Sequence, residues 1–241
     1  MSDHPSDHPD GHEPTAPQPA PMPAPTRLDL ATPGLPVFLS TEHWSLLGTR
    51  SLTWSEVMSR ITIHLTVLSA FLVVLALTAQ ATDFGAPFRV MAIGFASAAL
   101  IMGTLTAIRV NTASQEDADL IRAMNRLRHA YVDLAPELAP YLTASIHDDE
   151  AGLMHTYALG RPRNVVLHIV GSTSIFLMVV NALVAGTLGA LIASAAGAGA
   201  AVVSVVGAVL AVAYGLSHLL IVRSMFRGQE PDERFPTRGG A

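Results

Sequence analysis

Four stretches, residues 61–82, 90–108, 165–193 and 199–222, contain no Asp, Glu or Arg and are built mainly from Leu, Val, Ala, Ile and Gly. Each is long enough to cross a hydrocarbon core as a helix, which takes about 20 residues. Backbone groups in lipid must find their partners within the segment, so helices are the form open to these stretches. The connections 83–89 and 194–198 are short and imply two helical hairpins, while a charged stretch over 110–164 separates the pairs. Half of the 241 residues are hydrophobic and only 14% are charged, with a mean hydropathy of +0.42; an ordinary soluble domain does not show this balance. The predicted fold class is all-α, a polytopic membrane protein of four transmembrane helices in two hairpins with a cytoplasmic helical insert.

Arginine placement sets the expected orientation. The chain has no Lys, and Arg89 is the one Arg in either short connection, whereas Arg50, Arg60, Arg109, Arg223 and Arg227 flank the opposite ends of the spans. By the positive-inside rule both termini and the insert face the cytoplasm of a multi-pass protein in the plasma membrane. Arg161 and Arg163 form a basic turn ahead of the third span; with Arg109, Arg223 and Arg227 they are candidate contacts for anionic lipid headgroups.

The expected organisation begins with a tail without order over 1–39, where ten of the sixteen prolines fall by residue 36. Such a stretch has too little apolar surface to offset the entropy of ordering it. Its repeated Asp-His pairs, at Asp3, His4, Asp7 and His8, can hold a divalent metal only loosely, since nothing orients the imidazoles. An interfacial amphipathic helix follows over 40–58, with Ser40 or Thr41 as N-cap and both tryptophans, Trp44 and Trp54, suited to the headgroup layer. The first hairpin covers 59–109, the helical segment 110–164 and the second hairpin 165–223. A C-terminal tail without order is expected over 224–241.

The absence of cysteine excludes disulfides, thiolate metal sites and a Cys nucleophile. A net charge of −5 does not argue for nucleic acid. No cofactor or resident metal is implied.

Polar residues within spans are costly and often functional. His64, His168 and His218 each lie roughly 6 to 8 Å inside the cytoplasmic ends of their spans, at 1.5 Å per helical residue. If they converge they make a metal site or proton relay; if not, each reaches the interface or bonds a neighbouring helix. Asn181, near the middle of the third span, is expected to bond across helices or to line a path. Small residues repeat at intervals of four in three spans, at Ala99, Gly103 and Ala107, at Ala182, Gly186 and Ala190, and at Gly207, Ala211 and Gly215. Grooves of this kind admit close backbone approach, within one chain or in a homo-oligomer.

In the insert, Ser114 with Asp117 has the spacing of a capping box. Leu120, Met124, Leu127, Tyr131 and Leu134 then form a heptad seam, which packs either on the segment around Leu153 to Leu159 or on a protein partner, a second copy included. No Gly or Pro separates Arg109 from Ala135, so the second span can continue into this helix until Pro136 and Pro140 end it. His147, Asp148, Asp149 and Glu150 form the densest charge cluster. Carboxylates so placed serve metal-assisted catalysis in some membrane enzymes, but Asp148 or Asp149 is equally placed to cap a short helix.

The stretches Glu42-His43-Trp44-Ser45-Leu46-Leu47, Met124-Asn125-Arg126-Leu127-Arg128-His129-Ala130-Tyr131 and His147-Asp148-Asp149-Glu150-Ala151-Gly152 resemble those of uncharacterised bacterial integral membrane proteins of actinobacterial type. The resemblance covers roughly residues 41–227 and implies four spans with a cytoplasmic helix; it implies no activity and no catalytic residue. Three functions remain open on the sequence, in this order: an oligomeric scaffold or regulatory subunit without catalysis, acting through the insert; a small channel or transporter with a polar path near His64, His168, Asn181 and His218; and a membrane enzyme with metal held at Asp148 and Asp149.

Overall fold

The structure, a computed structural model, describes residues 33–159, 172–227 and 232–237, the side chains of 226 and 227 excepted. Among these residues it is all-helical. The elements are α1 (Leu35–Thr82), α2 (Ala86–Leu134), a 3-10 turn (Pro136–Tyr141), α3 (Glu150–Ala158), α4 (Thr173–Ala195) and α5 (Ala200–Arg227). Four of them, α1, α2, α4 and α5, are long and apolar enough to cross a membrane.

Two of these helices are far longer than a span. α1 has 48 residues and α2 has 49, so each extends about 70 Å against a hydrocarbon core of about 30 Å. The surplus lies at one end and forms, with α3 and residues 232–237, a polar head. The separate interfacial helix expected over 40–58 is instead the first half of α1. Its start is also earlier than Ser40: Gly34 at φ 83 turns the chain and Pro36 occupies the first turn, a position that spares a backbone donor. Residues 35–39, expected in the tail, are therefore helical. In α2 the continuation past Arg109 is found as expected and ends at Leu134 before Pro136. No cap forms at Ser114, whose hydroxyl donates to the Val110 carbonyl within the helix.

In the four-helix region the interior is lined by small and polar residues, among them Ala92, Ala99, Gly103, Ala107, His64 and Asn181, while Leu72, Leu77, Leu105, Leu183, Val209 and Leu220 point outward. That distribution is the one a lipid solvent selects, because apolar exterior costs nothing there and close helix contact needs small side chains. α2 packs against both α1 and α4, and α4 against α5. Gly186 and Gly207 face one another closely: a Cβ on Gly186 would meet the Gly207 carbonyl oxygen at 2.7 Å and the Ala211 Cβ at 3.0 Å. Gly103 likewise admits Asn181 and His64. The grooves at Gly103, Gly186 and Gly207 are filled from within the chain, whereas the Gly215 position is open. At the foot of the head, Val57, Ile61, Ala107, Val110, Ala113 and Leu177 form one apolar cluster joining α1, α2 and α4.

Candidate functional site

The head is organised by two buried carboxylates. Asp117, expected as part of a cap, sits in mid-helix and is 2% exposed. It accepts hydrogen bonds from Arg50 Nε at 2.6 Å, Trp54 Nε1 at 2.8 Å and the Tyr157 hydroxyl at 2.7 Å. Burial pushes its carboxyl up, but the bonds from Arg50, Tyr157 and Trp54 outweigh that and hold it below the ordinary Asp value. Tyr157, half-buried and donating to this carboxylate, is correspondingly pushed up by desolvation and by that bond. A charge removed from water is tolerated when its lone pairs are this fully used. Asp117 thereby ties α1, α2 and α3 together, and beneath it Ile121, Met124 and Leu153 pack with Leu46, Ala118 and Tyr157 alongside.

Asp148 is fully buried. It takes Arg126 Nε at 2.6 Å and the backbone N–H groups of Arg234 and Phe235 at 2.9 and 2.8 Å. Burial again raises the carboxyl, and these donors bring it below its ordinary value. Asp149 is the N-cap of α3, accepting from the Gly152 N–H at 2.7 Å. Asn125, also fully buried, holds the loop before α3 by donating to the His147 carbonyl at 2.8 Å and accepting from Thr156 and Arg128 at 3.0 and 2.7 Å.

In the four-helix region the polar residues fall in two layers. In the deeper one, Asn181 Nδ2 donates to the Tyr214 hydroxyl at 3.2 Å, and Tyr214 lies 3.0 Å from the Thr104 hydroxyl. His64 belongs to this layer, since a Cβ on Gly103 would strike Asn181 Oδ1 and press on His64 Cε1 at 3.0 Å. Asn181 Oδ1 and both ring nitrogens of His64 are buried without hydrogen-bond partners among the described residues. The second layer is one α2 heptad nearer the head: the Ser174 hydroxyl donates to Asn111 Oδ1 at 2.7 Å and lies 3.4 Å from His218 Nε2. His64 and His218 thus enter different layers, and His168 lies outside the described residues.

The remaining expected residues are placed as follows. Arg109 is engaged by two carboxylates, Glu56 and Glu116, each at 2.9 Å, rather than being a free headgroup contact. Arg223 is exposed; Arg161, Arg163 and the side chain of Arg227 lie outside the described residues. In the seam, Met124 is buried against Leu153, and Tyr131 donates to the Leu39 carbonyl at 3.1 Å and stacks on His43. Leu120, Leu127 and Leu134 are half-buried. The seam meets its own chain, and the fully buried stripe is shifted to Val110, Ala113, Asp117, Ile121, Met124 and Asn125.

The sequence reading missed Arg50, Asp117, Asn125 and Arg126 as organising residues. Asp117 and Asn125 do fall at helical spacing with Val110, Ala113, Ile121 and Met124, so a single polar residue on an apolar stripe was the available signal. The C-terminal tail expected over 224–241 also needs correction, since α5 runs to Arg227 and residues 232–237 bond to the head. No protein-family model, no curated protein and no solved structure matches the chain, so the likeness to actinobacterial-type membrane proteins rests on the quoted stretches alone.

Proposed function

We propose that the chain is a multi-pass membrane protein of the plasma membrane, with head and both termini in the cytoplasm, acting without catalysis as a scaffold or regulatory subunit whose head engages another protein. The observation that carries this reading is the unbroken passage of α1 and α2 from the apolar region into the head, pinned at Asp117 and across Glu56, Arg109 and Glu116. A head so held is a rigid extension of the spans and presents exposed apolar side chains outside the apolar stretches, Trp44, Leu52 and Tyr141 among them. The engagement of Asp117, Asp148 and Asp149 in structural bonds supports a role other than acid–base chemistry. The cytoplasmic placement rests on the arginines flanking the spans.

Photo-reactive residues at Trp44 and Leu52, compared with Leu77 on the lipid-facing side, test the reading in intact cells. Discrete cross-links to protein from the two head positions are expected. Their absence from both would contradict it.

A channel or transporter is the second reading, favoured by the His64 ring nitrogens and Asn181 Oδ1, which lack hydrogen-bond partners among the described residues and lie beside Gly103. Unsatisfied buried polar atoms are rare and each calls for an explanation. Ion flux into vesicles that is reduced by His64→Ala and Asn181→Ala would favour this reading over the scaffold. Flux at the level of protein-free vesicles, from folded and inserted protein, would remove it.

A further inference from the structure

Residues 232–237 bind the head in a way that a ligand binds a site. The backbone of this segment is read at successive points. Arg126 donates to the Asp232 carbonyl, the Arg234 and Phe235 N–H groups both reach the Asp148 carboxylate at 2.9 and 2.8 Å, the Phe235 carbonyl accepts from the Asp148 N–H at 3.3 Å, and the Thr237 N–H reaches Asp149 at 2.6 Å. Pro236, between these contacts, has no N–H to satisfy and fixes its own φ. Side chains add selectivity: the Phe235 ring stacks on His129 with centroids 4.2 Å apart, and the Thr237 hydroxyl donates to Asp149 at 3.1 Å. The chain bends at Arg234 and Phe235, which lets two successive N–H groups converge on one carboxylate; main-chain bonds supply affinity and a few side-chain contacts supply choice, as in other peptide-recognition sites.

The receiving surface is built by bonds that do not involve the segment. Asn125 holds the His147 carbonyl and is itself held by Thr156 and Arg128; the His147 N–H is fixed by the Ser145 hydroxyl at 3.0 Å; Asp149 already caps α3; Arg126 already pairs with Asp148. The segment also adds no side chain to the apolar cluster of Ile121, Met124 and Leu153. None of these bonds, and no part of that cluster, runs through the segment.

We propose that the head carries a peptide-recognition site, lined by Arg126, His129, His147, Asp148 and Asp149, and that the chain's own C-terminal segment is its tethered, exchangeable occupant. The occupant is a stretch bent at its aromatic residue, which is followed by Pro and Thr. The inference rests on the reading of the head as a protein-binding platform and names the chemistry of what it binds. A partner carrying such a stretch competes with the tether, which holds the internal copy at an effective concentration on the order of millimolar.

The test uses a fluorescent peptide of residues 228–241, measured by anisotropy against the full chain in bilayer discs. The Phe235→Ala protein, with its tether loosened, is expected to bind the peptide saturably with a dissociation constant on the order of 10 µM. The unmodified protein should bind at least about tenfold more weakly because its site is filled, and a peptide carrying Phe235→Ala should not bind either protein. A protein ending at residue 231 serves as the second open form, and helical circular dichroism establishes folding. Failure of folded open forms to bind, or equal binding by open and unmodified protein, overturns the proposal. Failure of both open forms to fold also overturns it, since the segment would then belong to the head's core. Loss of peptide binding while Trp44 and Leu52 still cross-link to protein would sink the peptide site and leave the scaffold standing.

Discussion

Asp117 lies in mid-helix, almost wholly out of water, and is held in its charged form by donors from two other helices. Local pattern cannot reveal this, because Arg50, Trp54 and Tyr157 are 67, 63 and 40 residues away in sequence. Its spacing from Ser114 instead imitates a capping box, which is how the sequence misleads. Asp117→Ala leaves Trp54 Nε1 and the Tyr157 hydroxyl without their acceptor, and should cost about 3 kcal/mol in chemical or thermal unfolding. Asp119→Ala, which removes an exposed pairing with Arg122, should cost no more than about 0.5 kcal/mol. Equal effects would contradict the assigned roles. The pH dependence has a definite sign. Asp117 and Asp148 both lie below the ordinary value of 3.8 in the folded chain, so the unfolded chain takes up protons first as the solution is acidified. Their stabilisation is whole above that ordinary value and is lost as pH falls through the lower folded ones. Amide exchange in α3 and the facing half of α2 should accelerate, after correction for intrinsic rates, below about pH 4. Acceleration beginning near neutrality would point to a histidine instead.

At the scale of the helices, packing turns on where glycine meets backbone. Gly186 faces the Gly207 carbonyl at a distance that no Cβ can share, and backbone cannot rotate aside as a long side chain can. Gly186→Ala should therefore destabilise by about 2 kcal/mol, whereas Gly215→Ala, with nothing within 4 Å of its Cβ position, should change stability by less than about 0.5 kcal/mol. Unfolding of the reconstituted protein in denaturing detergent compares the two; similar losses would mean that α4 and α5 do not pack as described. The existence of four apolar helices was legible, because spans must be long and free of charge. So was the continuation of α2, from the lack of Gly and Pro after Arg109. The unity of α1 was not: Ser40 and Thr41 are good caps taken singly, and the tryptophans suit an interface, yet Gly34 and Pro36 were the actual start signal. The docking of residues 232–237 left no trace in the sequence, since a short non-helical segment held by main-chain bonds needs no periodic pattern. In the candidate site, Asn181 and His64 were legible as polar residues within apolar stretches, while their meeting at Gly103 depends on helix rotation that one sequence does not encode.

Across the whole molecule, an apolar four-helix region is joined to a polar head through helices that do not break. Under the proposed function, this mechanical continuity is the route by which a binding event on the head would reach the spans. Three levels of contact maintain it: the apolar cluster of Val57, Ile61, Ala107, Val110, Ala113 and Leu177 at the boundary, the pairing of Arg109 with Glu56 and Glu116 just above it, and the Asp117 ties further out. A helix lying on the membrane, joined by a hinge to the first span, would have none of this rigidity. The distinction is measurable because the chain has no native cysteine, so a pair of spin labels can be introduced without background. Gly48, whose Cβ position is open, and Leu77, which is exposed, both lie on α1. Pulsed dipolar spectroscopy on the Gly48→Cys, Leu77→Cys protein in bilayer discs should give one narrow distribution centred at about 43 Å, the length of 29 residues of unbroken helix. A broad distribution, or one centred well below about 35 Å for the same 29 residues, would mean a bend between head and span and would contradict the account.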